Sequence, residues 1–193
     1  MKGLLNNQRG AGLIEVLVTL LLISIALLGS ASLQVLSKQS NFQAVQRTTA
    51  AQLASDYLSR MRSNRGVLAN YLPANDLGGG TAGDAPAKNC IGAVVNCTGN
   101  EMASFDQWEW EQILDGALEL NGAANAGGLI EPTACFAGQN DGGEGMYEVA
   151  IAWRGATEHP NPDVHNCGED TGKYGANNEF RHVLVMQTFI GES

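Results

Sequence analysis

The chain has 193 residues, 44% of them hydrophobic, and a formal net charge of −9 from 11 basic and 20 acidic side chains. That length supports one modest core beside an anchor, and not two cores. The acidic balance argues against nucleic-acid binding, whose affinity rests on Lys and Arg contacts to phosphate.

The first element is a short basic leader, residues 1–10, with Lys2 and Arg9, no acidic residue, and Gly10 at its end. An apolar run follows from Ala11 to Ala31, about the 20 residues a helix needs to cross a bilayer. The two cations before it predict residues 1–10 in the cytoplasm and everything after about Leu33 outside. One carboxylate, Glu15, lies inside the run, five residues past Gly10. An ionisable group in hydrocarbon is costly and points to function rather than to anchoring alone.

Three kinds of N-terminus compete. A secretory signal peptide has an apolar core of roughly 7–15 residues and a small-residue cleavage site. Gly29-Ser30-Ala31-Ser32 could serve as that site, but the run is longer than such a core. No Cys follows Leu27-Leu28-Gly29, which excludes a lipoprotein signal. A plain signal anchor explains length and orientation but gives Gly10 and Glu15 no role. Third, the segment Gly10-Ala11-Gly12-Leu13-Ile14-Glu15-Val16 resembles the leader of type IV pilins and pseudopilins. The resemblance implies that a prepilin peptidase cuts between Gly10 and Ala11 and methylates the new amine of Ala11. Glu15 then becomes the fifth mature residue. Family members usually carry Phe or Met after the cut and often Thr next; here Ala11 and Gly12 stand there. Losing Lys2 and Arg9 with the leader takes the net charge to −11 before the termini are counted.

Ala11 and Glu15 are four residues apart, one helical turn on one face. Cleavage puts a cation beside the carboxylate, and pairing offsets the several kcal/mol, roughly, that a lone charge costs in an apolar setting. In a bundle of subunits the amine of one chain meets Glu15 of the next and sets axial register, as one buried polar residue does in a coiled coil. The competing role for Glu15 is snorkelling to the headgroups.

No proline occurs from Gly12 to Asn64. Leu33, Leu36, Phe42, Val45, Ala50, Leu53, Ala54, Tyr57, Leu58 and Met61 recur at three- and four-residue steps, an amphipathic helix that continues the apolar one. Arg60, Arg62 and Arg65 crowd its last turn and Gly66 is a natural stop. A helix of about 50 residues is about 75 Å long. Its end, Ser59-Arg60-Met61-Arg62-Ser63-Asn64-Arg65, resembles the "E-R-M-R-A-N-R" end of the long helix in PilV-type minor pilins.

Residues 67–193 form the globular part. Leu77–Gly83, Asn121–Gly128 and Gly138–Gly145 read as Gly-rich loops. Ser104–Leu120 is a helix candidate capped by Asp106, with Trp108, Ile113 and Leu114 facing inward. Gly145–Gly155 alternates, with Tyr147, Val149, Ile151 and Trp153 on one face, and Phe180–Ile190 is a second strand. Both resemble the C-terminal strands of PilV-type proteins; about residues 67–130 carry no resemblance. The predicted fold is α+β and pilin-like: a long N-terminal helix packed on a C-terminal antiparallel sheet.

Cys90, Cys97, Cys135 and Cys167 all lie beyond the membrane helix, in an oxidising compartment. Four cysteines allow three pairings. Cys90–Cys97 and Cys135–Cys167 are expected, because neighbours close the cheapest loops. A zinc site from Cys167, His165 and His159 is the rival, without a Cys-x-x-Cys to support it. Asp141, Glu144 and Glu148 form an acidic cluster that lacks EF-hand spacing and reads as a solvated loop. No nucleophile elbow, P-loop or dinucleotide motif is present, and His159, His165 and His182 are scattered. No enzymatic activity, cofactor or metal is expected.

The expected parts are a leader at 1–10, a membrane and assembly helix at 11–32, its amphipathic continuation at 33–66 and a periplasmic domain at 67–193. The resemblance implies a PilV-type minor pilin that helps prime pilus assembly near the tip, and so supports twitching motility and attachment. Its implied partners are the prepilin peptidase, other minor pilins, the major pilin, the inner-membrane assembly platform and the inner membrane itself. It would leave that membrane for the cell-surface pilus. A minor pseudopilin of a type II secretion system and a pilin-anchored adhesin are the alternatives.

Overall fold

The computed structural model describes residues 12–92, 96–117, 120–121, 124–125, 127–139 and 141–191. Helix α1 runs over Leu13–Ser63 without a break. Two compact units divide within it, one up to Phe42 and one from Gln43 onward. The first unit is helix alone in the described residues, and its large apolar side chains are exposed.

In the second unit α1 buries Gln46, Ala50, Leu53, Ala54, Tyr57, Leu58 and Met61. These three- and four-residue steps put them on one face. The predicted stripe is therefore buried from Ala50 on, whereas Leu33, Leu36 and Val45 are 68%, 63% and 60% exposed. The helix stops before Gly66. Asn64 leaves helical geometry at φ −129°, and Arg65 Nε donates to the Arg62 carbonyl at 3.1 Å, satisfying a terminal acceptor. A 3-10 segment, Arg65–Tyr71, follows.

Helix α2 spans Gly99–Leu114, five residues earlier than its predicted start. Its cap is Thr98, not Asp106: the Thr98 side chain accepts from the Glu101 N–H, and Glu101 reaches back to the Thr98 N–H at 2.7 Å. This is a capping box, legible as Thr-x-x-Glu and passed over in favour of the aromatic run. The inward residues change with it. Ala103, Trp110 and Leu114 are fully buried and Trp108 is not, because the buried face follows steps from Ala103.

Lys88 Nζ pairs with Glu101 at 2.8 Å. That bond, with the two hydrogen bonds to Thr98, lowers the Glu101 carboxyl from 4.5 to about 2. A depressed acid contributes stability above its unfolded value and loses it as pH falls through the folded one. Acid titration followed by circular dichroism should show helix loss setting in between pH 4.5 and about 2. The Glu101→Gln chain should lack that step.

Strands β1 (Leu120–Asn121) and β2 (Ala124–Asn125) make a two-residue antiparallel ladder; Leu120 stands in it rather than at the expected helix end, α2 stopping at Leu114, and the other three residues fall in the segment read as loop. The main sheet has three antiparallel strands in the order β3 (Thr133–Ala137), β4 (Gly145–Arg154), β5 (Arg181–Ile190). Strands β4 and β5 match the two predicted ones. The edge strand β3 was missed, since five residues with one large side chain give a weak alternation signal. One sheet face carries Tyr147, Val149, Ile151 and Trp153 into a core with Tyr57, Leu58, Met61, Trp110 and Leu114. The other face carries Ala150 and Ala152, whose small side chains let Cys167 and Tyr174 of the 156–179 loop lie close. The fold is the predicted one, α+β and pilin-like, with both sheet faces covered over most of their length.

Two disulfides join Cys90 to Cys97 and Cys135 to Cys167. The second ties the 156–179 loop to β3. Closing a loop of sequence separation 32 removes about 3–4 kcal/mol of unfolded-chain entropy. The Cys135→Ser, Cys167→Ser double variant should lose about that much in denaturant unfolding, with β4 and β5 retained by infrared spectroscopy.

Candidate functional site

The site is α1: its apolar segment, its first turn and the joint at its far end. Between Gly12 and Lys38 the only ionisable side chain is Glu15. The most apolar 18-residue window of α1 has a mean hydropathy of 2.5, enough to cross a membrane by length and composition, and none of it is buried by this chain. Its polar side chains are satisfied internally. The hydroxyls of Thr19, Ser24, Ser30 and Ser32 each donate to a carbonyl three or four residues back, at 2.7–3.0 Å. In hydrocarbon that removes the cost of a bare hydroxyl.

Glu15 lies in the first turn of α1, where its N–H donates to the Gly12 carbonyl at 2.9 Å. A carboxylate there complements the positive end of the helix dipole, a contribution that sequence spacing alone did not bring out. Gly10 and Ala11, the expected cleavage and methylation positions, lie outside the described residues.

At the far end, Arg60, Met61, Arg62 and Asn64 of the segment singled out each have a structural task. Met61 is buried in the core. Arg60 donates to Asp56 at 2.9 Å, Asp106 at 3.0 Å and Glu109 at 2.7 Å, joining α1 to α2. Asn64 Nδ2 donates to the Gly99 carbonyl at 2.8 Å and to the Tyr71 hydroxyl at 3.2 Å. Tyr71 in turn donates to Asp106, and Tyr57 donates to the Tyr71 carbonyl at 2.8 Å. Burial first, then the bond to Asp106, raises the Tyr71 phenol well above its usual range, so it stays a donor. Arg62 Nη2 donates to Thr188 Oγ1 on β5. The arginines therefore act through these partners rather than through the helix dipole alone.

The same geometry accounts for the remaining candidates. Cys167 Sγ is bonded to Cys135, and His165 Nδ1 accepts from the Cys167 N–H at 2.9 Å, so Cys167 and His165 of the zinc reading are engaged. The acidic cluster does not converge: Asp141 accepts from the Gly143 N–H, while Glu148 pairs with His165 at 3.0 Å and takes a hydrogen bond from Gln187.

Residues 5–31 match the prokaryotic N-terminal methylation motif, and residues 32–108 match the Tt1218-like type IV pilin family. Together the two matches support a type IV pilin. No curated protein and no solved structure matches it. The pilin match takes in the second half of α1, the 3-10 segment and α2 as far as Trp108, so it reaches into the stretch where no resemblance had been seen. The methylation motif implies processing by the prepilin peptidase and assembly with other pilins. Together with the one apolar helix, it fits a membrane-anchored pilin. The Tt1218-like match does not distinguish the PilV type.

Proposed function

We propose that this pilin is a PilV-type minor subunit that helps prime type IV pilus assembly near the tip, and so supports twitching motility and attachment. The observation that carries the reading is the lone carboxylate, Glu15, in the first turn of α1, whose apolar segment is otherwise uncharged and is exposed among the described residues. That surface has no partner in its own unit, and a bundle of like helices supplies one. The order of parts is a leader at 1–10 cut between Gly10 and Ala11, a membrane and assembly helix at 11–32, its continuation at 33–66, and a periplasmic domain at 67–193. Ala11 carries the methylated amine, and Glu15 pairs with the amine of a neighbouring subunit. Its partners are other minor pilins, the major pilin and the inner-membrane assembly platform.

Mass spectrometry of the mature N-terminus in membrane and sheared-filament fractions tests the processing. A peptide beginning at Ala11, methylated or not and present in filaments, is expected. A start near Ser32 in a soluble fraction overturns it. Deleting the gene tests the role. Loss of pili is expected; normal pili with poor attachment would mean an adhesin, and trapped exoproteins would mean a type II secretion pseudopilin.

A further inference from the structure

His182 stands on β5 and His159 on the loop that leaves β4. Their ring centroids are 4.2 Å apart, and Trp153 stacks on His182 at 5.7 Å. The loop is tied to α1 beside them by a 2.7 Å hydrogen bond from Gln43 to Thr157. The His159 N–H donates to the Glu179 carbonyl at 2.8 Å.

Both Nε2 atoms are buried and without a hydrogen-bond partner. The protonation of His159 follows from its other nitrogen. Nδ1 lies 2.7 Å from the Pro160 carbonyl oxygen, which only accepts, so Nδ1 holds the proton and Nε2 the lone pair. Nε2 of His182 is turned onto the Gly155 backbone: a Cβ on Gly155 would stand 2.1 Å from it. A proton added at either Nε2 makes a cationic N–H with no acceptor in a closed place, which is costly.

The surrounding charges add to that cost. The Arg47 guanidinium of α1 acts on His182 as a cation, and the neighbouring His159 acts in the same direction. Arg154, next to Trp153, is held by the Lys173 carbonyl, Glu131 and the Phe180 ring. Arg181, next to His182, is fully buried and donates to the carbonyls of Pro162, His165 and Cys167. Glu179 turns its carboxylate to the Asn177 N–H, and Glu158 is exposed. Among the described residues neither ring has an ion-pair partner.

We propose that His182, packed against His159, forms an acid-labile latch: protonation of His182 releases residues 156–160 from α1 and β5 while the rest of the loop stays in place. The Cys135–Cys167 bridge and the buried Arg181 hold that remainder. Burial first, then His159 and Arg47, keep the His182 imidazole below its ordinary 6.5. A base held down in the folded state favours closure at pH above 6.5, and that contribution drains away as pH falls below it. The latch goes beyond the role in assembly and does not depend on it.

Hydrogen exchange of the full-length chain in detergent micelles, at about pH 7.5 and about pH 5 and corrected for intrinsic rates, tests the latch. Peptides covering 156–160 should exchange faster in acid after that correction. Peptides around Cys167 should not change. The His159→Gln, His182→Gln double variant should lose the pH dependence. Arg47→Gln removes an exposed cation, so the His182 midpoint, read from its Cε1 proton by NMR, should rise and the acid response should shrink. Equal exchange of the wild type at both pH values, an acid response that survives in the double variant, or an Arg47→Gln chain that behaves as wild type overturns the latch.

Discussion

The Glu15→Lys chain is expected to be processed and inserted in the membrane but to be missing from sheared filaments. The substitution leaves Gly10 and the apolar run intact, so cleavage and anchoring continue. In the first turn of α1 it replaces an anion, favoured by the positive helix end, with a cation that is not. In an assembled bundle the new ammonium meets the amine of the neighbouring subunit. Two like charges in an apolar setting lack the compensation that pairing supplies, and subunit affinity falls by several kcal/mol, roughly. Glu15→Gln keeps the shape and removes the charge, and should give intermediate incorporation. Quantitative immunoblots of membrane and filament fractions measure both. Wild-type amounts of Glu15→Lys in filaments would remove the register role.

The second large effect lies in the globular part. Glu111 of α2 is fully buried, and its carboxylate accepts from the N–H groups of Gly78, Thr81 and Ala82 and from the Thr81 hydroxyl, at 2.6–2.7 Å. One turn on, Asp115 accepts from the Gly79 and Gly80 N–H groups. The Gly-rich loop is thus wound around two carboxylates at the end of α2. Gly78 is required there: its φ is +128°, and a Cβ would stand 2.4 Å from the Pro132 carbonyl oxygen. Glu111→Ala strands the N–H groups of Thr81 and Ala82, at about 1–3 kcal/mol each, and leaves the Gly78 N–H only its 3.1 Å bond to Thr81 Oγ1. A loss of about 3 kcal/mol or more is expected, which lowers the midpoint of thermal unfolding by about 6–12 °C for a chain of this size. Glu111→Gln keeps one accepting oxygen and should lose about half as much. A midpoint that stays put in Glu111→Ala would mean that water replaces the carboxylate without cost.

The contrast between Glu15 and Glu111 explains what the sequence disclosed. Glu15 stood out because its neighbours along the chain are apolar, so the anomaly is local. Glu111 lies in a run of charged and aromatic residues and looks like any exposed helix carboxylate; its partners sit about 30 residues earlier, in a loop whose glycines say only that the backbone turns. Arg181 was hidden for the same reason, since carbonyls of the 156–179 loop take its donors and carbonyls leave no mark in a sequence. Trp110 rather than Trp108 enters the core because Ala103, Trp110 and Leu114 share one helix face at steps of seven and four, and Trp108, two residues from Trp110, lies away from that face. Strands β4 and β5 were plain because ten alternating residues are a strong signal and five are not. The fold class and the long helix with its apolar stretch were therefore readable, while the long-range polar contacts that fix the globular part were not.

The order in which the sheet is assembled constrains how the chain becomes a folded molecule. The α1 stripe from Ala50 to Met61 is covered by residues of β4 and by Ile190 at the end of β5, more than 80 positions later. Strand β4 sits between β3 and β5, and β5 is the last strand in the described chain. Such high contact order means that loop-closure entropy must be met before those contacts return anything. No early portion of the chain can finish a core by itself. A polypeptide cut short before Arg181 leaves half of a central strand unpaired and the helix stripe partly bare, a species prone to aggregation. Folding is thereby tied to synthesis of the final ten strand residues, and incomplete chains announce themselves by exposed apolar surface rather than passing as smaller subunits.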